Sequence, residues 1–151
     1  MGILNITEDS FYSRSRYLAD DEIVKAAGEM LGDGADIIDV GGCSTRPGAP
    51  EVSAEVEMKR VCGAVDLILN RYPEAVISID TYRASVAEEA LVNHGADIIN
   101  DISGGEMDAE MFPLIIRLKV PYIMMHMQGT PLTMQVNPSY DDVVTDIIRW
   151  F

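Results

Sequence analysis

What this chain of 151 residues lacks narrows its class quickly. It has two cysteines, Cys43 and Cys62. They lack the paired spacing of a metal site and are too few for a disulfide framework. Reduced thiols in a cytoplasmic protein are therefore expected. No apolar run approaches the roughly 18 residues of a spanning helix, so no membrane span is expected. The opening MGILNITEDSF has neither the basic region nor the long apolar region of a signal peptide. Basic residues are scarce, with 11 Lys and Arg against 25 Asp and Glu and a net charge of −14. Such a balance repels nucleic-acid phosphates. An anionic small-molecule ligand would need an arginine, backbone N–H groups or a divalent cation beside it. There is no Walker or GxGxxG spacing, no GxSxG, no CxxC pair and no HExxH.

The apolar residues that are present form short runs. Five runs read as buried strands: 2–6, 36–40, 76–80, 97–100 and 122–125. Most are continuous rather than alternating, as expected of parallel strands covered on both faces. Helical patterns separate them. Ile23, Val24, Ala27, Met30 and Leu31 form one stripe, with Asp21 and Glu22 expected in its opening turn. Further helices are expected over 53–72, 83–94 and 108–118, the last limited by Pro113 to an early-turn proline. A final helix is expected from about 140. The segment GADIIDVGG (34–42) returns as GADIINDISGG (95–105), a repeated strand–helix unit. Alternating strands and helices predict a parallel α/β fold in a single domain over 1–151. It is either a doubly wound sheet or part of a (β/α)8 barrel, since a whole barrel takes about 250 residues.

Polar residues gather where these strands end. Asn5 and Thr7, Asp39 with the Gly41 loop, Asp80 and Thr81, Asn100 and Asp101, and His126 all fall at expected carboxyl ends. In either fold that edge binds ligands. Each group has two readings. Asn5, Thr7 and Asp9 are oxygen ligands for a hard cation, or a turn closing a loop. Asp80 and Thr81 either hydrogen-bond a flat heterocycle or cap the helix that follows. Asn100 and Asp101 either meet a mixed donor–acceptor edge or shape a glycine turn. Arg46 is fixed in an extended conformation by Pro47, either as an exposed arginine on a stiff turn or as a cation carried to an anionic leaving group. His126 is a hydrogen-bonded core group or a ligand. Met124, Met125, Met127 and Met134 fill the core or line a ring pocket.

Five stretches together resemble dihydropteroate synthases, within the pterin-binding group of TIM barrels. They are MGILNITEDSF (1–11), DVGGCSTRPGA (39–49), SIDTYRASVAEEAL (78–91), GADIINDISGG (95–105) and MMHMQGTPLTMQ (124–135). They stand in family order across nearly the whole chain. The resemblance implies a partial (β/α)8 TIM barrel of about five strand–helix units. It also implies a transferase of folate biosynthesis that joins p-aminobenzoate to a hydroxymethyl-dihydropterin pyrophosphate, releasing pyrophosphate. By the same resemblance, Asn5 would hold Mg2+ on the pyrophosphate and would act with Asp9 and Arg46 in catalysis. Thr45, Asp80, Asn100 and Met125 would bind the pterin. Phe11, Thr45 and Pro47 would enclose p-aminobenzoate, the position sulfonamides occupy. The full-length form would be a cytoplasmic homodimer.

The sequence departs from the family at three places. Ser13, Arg14 and Ser15 replace an acidic residue and two glycines of the first loop. Cys43 stands where the family often has Glu. The later strand motifs are absent, which implies part of a longer synthase, inactive by itself and prone to associate. Two alternatives share most of these residues. A pterin-binding methyltransferase domain would bind methyltetrahydrofolate without pyrophosphate. A non-catalytic derivative of the barrel would turn over nothing.

Overall fold

The computed structural model describes residues 1–6, 16–43, 52–131 and 133–151, with residues 16–19 described by backbone only. Among the described residues five strands alternate with five helices: β1 (Gly2–Asn5), α1 (Arg16–Gly32), β2 (Ile37–Gly41), α2 (Ala54–Arg71), β3 (Val76–Asp80), α3 (Ala84–Asn93), β4 (Ile98–Asp101), α4 (Met111–Leu118), β5 (Tyr122–Met124) and α5 (Val143–Trp150). All pairings are parallel, in the order β1-β2-β3-β4-β5. A doubly wound sheet reverses strand order at a switch point. This sheet never does, and α1, α2, α3 and α4 contact one another in succession. The arrangement is a sector of a (β/α)8 barrel.

One face of the sheet is largely apolar, apart from Asp101 at the end of β4. Leu4, Ile38, Val40, Ile77, Ile79 and Ile99 are buried there against Ile23, Ala27, Val61, Val65, Ile68, Ala87, Met111 and Leu114 of the helices. The residues between them point the other way, because successive strand side chains alternate. That second face carries Ile3, Asn5, Asp39, Gly41, Ser78, Asp80 and Asn100. The strands that read as uninterrupted apolar runs therefore alternate after all. Their inner positions hold the polar residues.

The helix limits follow local chemistry. Ser53 caps α2, accepting from Val56 N–H at 3.4 Å. Asp142 caps α5, accepting from Thr145 N–H at 2.8 Å. Pro113 is the third residue of α4, where its missing N–H would have no intrahelical partner. The helix expected to carry Asp21 and Glu22 in its opening turn begins earlier, at Arg16, so neither lies in its first turn. The two echoed segments keep equivalent places. Gly34 and Gly95 leave their helices with φ of +96° and +80°. That left-handed conformation suits glycine alone at no steric cost.

Candidate active site at the carboxyl ends of the strands

Register aligns the candidate residues across four strands. Asn5 pairs with Gly41, Gly41 with Asp80, and Asp80 with Asn100. Strand alternation sends their side chains to the same inner face. Asn5 and Asp80 converge over Gly41. A Cβ built on Gly41 would stand 3.0 Å from Asn5 Oδ1 and 3.3 Å from Asp80 Oδ2. The missing side chain keeps a small oxygen-lined recess open between them. Gly41 is the residue that sequence reading left among the turn glycines.

Asn100 reaches over β3 and donates from Nδ2 to Asp39 Oδ2 at 3.0 Å. Side chains from strands two apart meet there, which places them on the concave side of the sheet. Asp39 is 2% exposed, and its other oxygen, Oδ1, is buried without a hydrogen-bond partner among the described residues. Its register neighbour Ser78 is likewise buried, with Oγ unpartnered among the same residues. Burial and the nearby carboxylates of Asp39, Glu57 and Asp101 push the Asp80 carboxyl up to about 7. Asp80 is thus poised to change charge near neutrality.

The two readings of Asp80 separate cleanly. It does not cap α3. Thr81 does the local work: its Oγ1 accepts from Arg83 N–H at 3.1 Å and donates to Glu57 Oε1 at 2.6 Å. The first N–H of α3, on Ala84, donates instead to Asp108 Oδ2 at 2.8 Å. Asp80 is left facing the recess.

Asn100 and Asp101 also separate. Asp101 points into the helix side and is fully buried. Its carboxylate accepts from Ser103 N–H, Ser103 Oγ, Gly105 N–H and Tyr122 Oη at 2.6–3.0 Å. It organises the turn after β4, while Asn100 alone faces the site. His126 packs edge-on against Trp150 at 4.9 Å and its Nε2 lies 3.1 Å from Tyr140 Oη. That fits its reading as a packed structural ring. Met125 directly follows β5, with its N–H donating to Asp101 O at 3.2 Å. Continued alternation places its half-buried side chain on the Ile123 and Asn100 face.

A buried ion pair underlies this edge. Glu57 is 1% exposed and pairs with Arg83, whose Nη2 donates to Val52 O at 2.8 Å. Arg60 Nη1 donates to Gly42 O at 3.1 Å. Gly42 and Val52 flank the second loop, so α2 and α3 hold both sides of its base. Cys43 sits beside this pair, and burial with the Glu57 charge raises its thiol pKa. Asp9, Phe11, Thr45, Arg46 and Pro47, all expected in the site, lie outside the described residues.

Among the described residues no group of three or more His, Cys, Asp or Glu is placed to hold a metal ion. The recess over Gly41 nevertheless offers a hard oxygen donor, Asn5 Oδ1. An amide oxygen is a donor that would suit magnesium.

Comparison with known proteins agrees on one family. The profile of the family described as pterin binding enzyme matches residues 1–151. Dihydropteroate synthase of Escherichia coli (strain K12) is 45% identical over 155 residues, covering all of this chain and 52% of that protein. The mitochondrial folate synthesis bifunctional protein of Arabidopsis thaliana is 42% identical over 151 residues, covering 97% of this chain and 27% of that one. A crystal structure of Yersinia pestis dihydropteroate synthase in a sulfonamide drug complex superimposes with a TM-score of 0.85 at 40% identity. It covers 100% of this chain and 53% of its own. A Xanthomonas albilineans dihydropteroate synthase with 4-aminobenzoic acid gives 0.83 at 33% identity, with 99% and 51% covered. The chain spans about half the length of these synthases and a smaller share of the bifunctional protein.

Proposed function

The chain belongs to the pterin-binding enzyme family, and on that premise we propose that it carries the pterin-binding part of a dihydropteroate synthase. The observation that carries this reading is the row Asn5, Gly41, Asp80 and Asn100, in register at the carboxyl ends of four successive strands. Asp80 and Asn100 hydrogen-bond the edge of a dihydropterin, and Met125 lies against its ring. Asn5 and the recess over Gly41 face the pyrophosphate.

In the reaction, the bond between the pterin methylene and the pyrophosphate oxygen breaks. The amine of p-aminobenzoate forms the new C–N bond and loses one proton, and pyrophosphate leaves. The pterin ring can share the positive charge of the methylene, so bond cleavage can run ahead of amine attack. Asp80 and Asn100 then act by holding the ring in line, an orientation effect. The carboxylates of this face favour a cation-like methylene electrostatically. Asn5 would hold magnesium, which when bound would supply charge neutralisation on the leaving group. Arg46 contributes a second cation, with Asp9 assisting from the first loop. Phe11, Thr45 and Pro47 enclose p-aminobenzoate, the position that a sulfonamide occupies as its analogue. A cytoplasmic location and a homodimeric full-length form complete the proposal.

The test is pyrophosphate release by the full-length gene product. Release is expected only when dihydropterin pyrophosphate, p-aminobenzoate and magnesium are all present. Tight binding of methyltetrahydrofolate with no pyrophosphate release would assign the chain to methyl transfer instead.

A further inference from the structure

The bond between Asn100 and Asp39 has a consequence for what the site selects. The Asn100 amide turns its Nδ2 end to Asp39 and donates to Oδ2 at 3.0 Å. The end turned away from Asp39 is then Oδ1. Among the described residues no other side-chain hydrogen bond engages Asp39, which is 2% exposed with Oδ1 unpartnered. Burying a charge for one amide contact is costly, and a hydrophobic residue would serve the packing better. Asp39 and Asn100 occupy equivalent places in the repeated GADIID and GADIIN segments. The repeat thus delivers a carboxylate and an amide to the same inner face, where they meet over Ser78 and beside Asp80.

We propose that Asp39 is a positioning residue. It locks the Asn100 amide so that Asn100 meets a bound heterocycle as an acceptor beside Asp80. The pocket thereby selects ring edges that present neighbouring N–H donors. This inference rests on the proposed pterin-binding function, because it specifies how one residue of that site is oriented.

The experiment uses the full-length gene product and 6-hydroxymethylpterin as the probe, with affinity read by calorimetry and folding by thermal melting. In Asp39→Asn, the new amide can face Asn100 with either end, so the lock is lost. Binding is expected to weaken about tenfold. The melting temperature is expected to hold or rise, because a buried charge has gone. The KM for the pterin substrate should rise while that for p-aminobenzoate stays put. The double variant D39N/N100D restores the arrangement in reverse. The amide introduced on β2 can then donate to the carboxylate introduced on β4, whose second oxygen still faces the ligand as an acceptor. Its affinity is expected to return to within about threefold of the parent.

Equal binding by the parent and D39N overturns this inference alone. So does a folded double variant that regains nothing, since Asp39 would then act by charge or direct contact. Failure of the parent to bind the pterin overturns the functional reading and this inference with it. A measurement on the parent covers the case in which D39N does not fold. One Asn100 side-chain amide proton should exchange slowly in the unliganded protein. Fast exchange of both protons would sink the lock.

Discussion

Thr81 Oγ1 donates to Glu57 Oε1 at 2.6 Å, which couples the residue after Asp80 to a buried carboxylate on α2. The same Glu57 pairs with Arg83, and Arg83 reaches the Val52 carbonyl. The carboxyl end of β3 is thereby tied to the base of the second loop through one buried ion pair.

Breaking that pair from one side leaves an uncompensated charge. Glu57→Gln keeps a partner for Thr81 but leaves the Arg83 guanidinium without this counter-charge. We expect a loss of about 3 kcal/mol, read from urea unfolding midpoints. Replacing Glu57 and Arg83 together by leucine or methionine should cost less than the single change. A double replacement as costly as the sum of both singles would show that the pair does not act as a unit.

Asp80 gives the protein a pH dependence with a definite sign. Its folded-state pKa, about 7, lies above the ordinary 3.8. The folded state therefore holds the proton more tightly than the unfolded chain does. The associated stability is fully present below about pH 4 and is lost as pH rises through about 7. Asp80→Asn removes this loss. The variant should be more stable than the parent at pH 8, by a few kcal/mol at most, with the gap closing toward pH 4. Thermal melts without divalent cations across that range check it; a gap that does not change with pH would mean Asp80 is not the group responsible.

Ligand affinity should follow the same titration in the opposite sense. A ring N–H donor needs the ionised Asp80 as acceptor, so pterin affinity is expected to increase from pH 6 to pH 8. Burial, Asp39, Glu57 and Asp101 all raise this pKa, so D39N should move the midpoint toward lower pH. An affinity profile that stays flat through pH 7 would rule out this role for Asp80.

Gly41→Ala tests the recess. Its Cβ would press on Asn5 Oδ1 and Asp80 Oδ2 at 3.0 and 3.3 Å. Both are side-chain atoms that can shift, so the stability cost should stay within about 1 kcal/mol. Affinity for magnesium pyrophosphate should fall several-fold. Unchanged calorimetric affinity would remove Asn5 from the anion site.

Gly104→Ala probes the seat of Trp150 beside the turn after β4. Gly104 has φ of +58°, and a Cβ there would lie 2.2 Å from the Trp150 ring and 3.1 Å from Met125 O. The left-handed backbone alone costs about 1 kcal/mol, and Trp150 must move as well. Trp150 is the single tryptophan. Its fluorescence should shift to the red as the ring leaves its seat against His126, and an unchanged spectrum would show that α5 does not depend on this contact.

The sequence by itself determined the number and order of strands and helices, because apolar runs and helical stripes are local properties. It determined the domain class, since strand–helix alternation permits little besides a parallel α/β sheet. It also marked Asn5, Asp80 and Asn100, because polar residues ending apolar strands stand out in any register. Tertiary structure decided the rest. Barrel or doubly wound sheet depends on strand order, which no single run encodes. Asp80 facing the recess over Gly41 instead of capping α3, and Asp101 organising the turn after β4, depend on which face each side chain takes. One residue of shift reverses that face. Gly41 mattered for the side chain it lacks, which becomes visible only once Asn5 and Asp80 converge above it. The bond from Asn100 to Asp39 joins residues 61 positions apart, and only the curvature of the sheet brings them together.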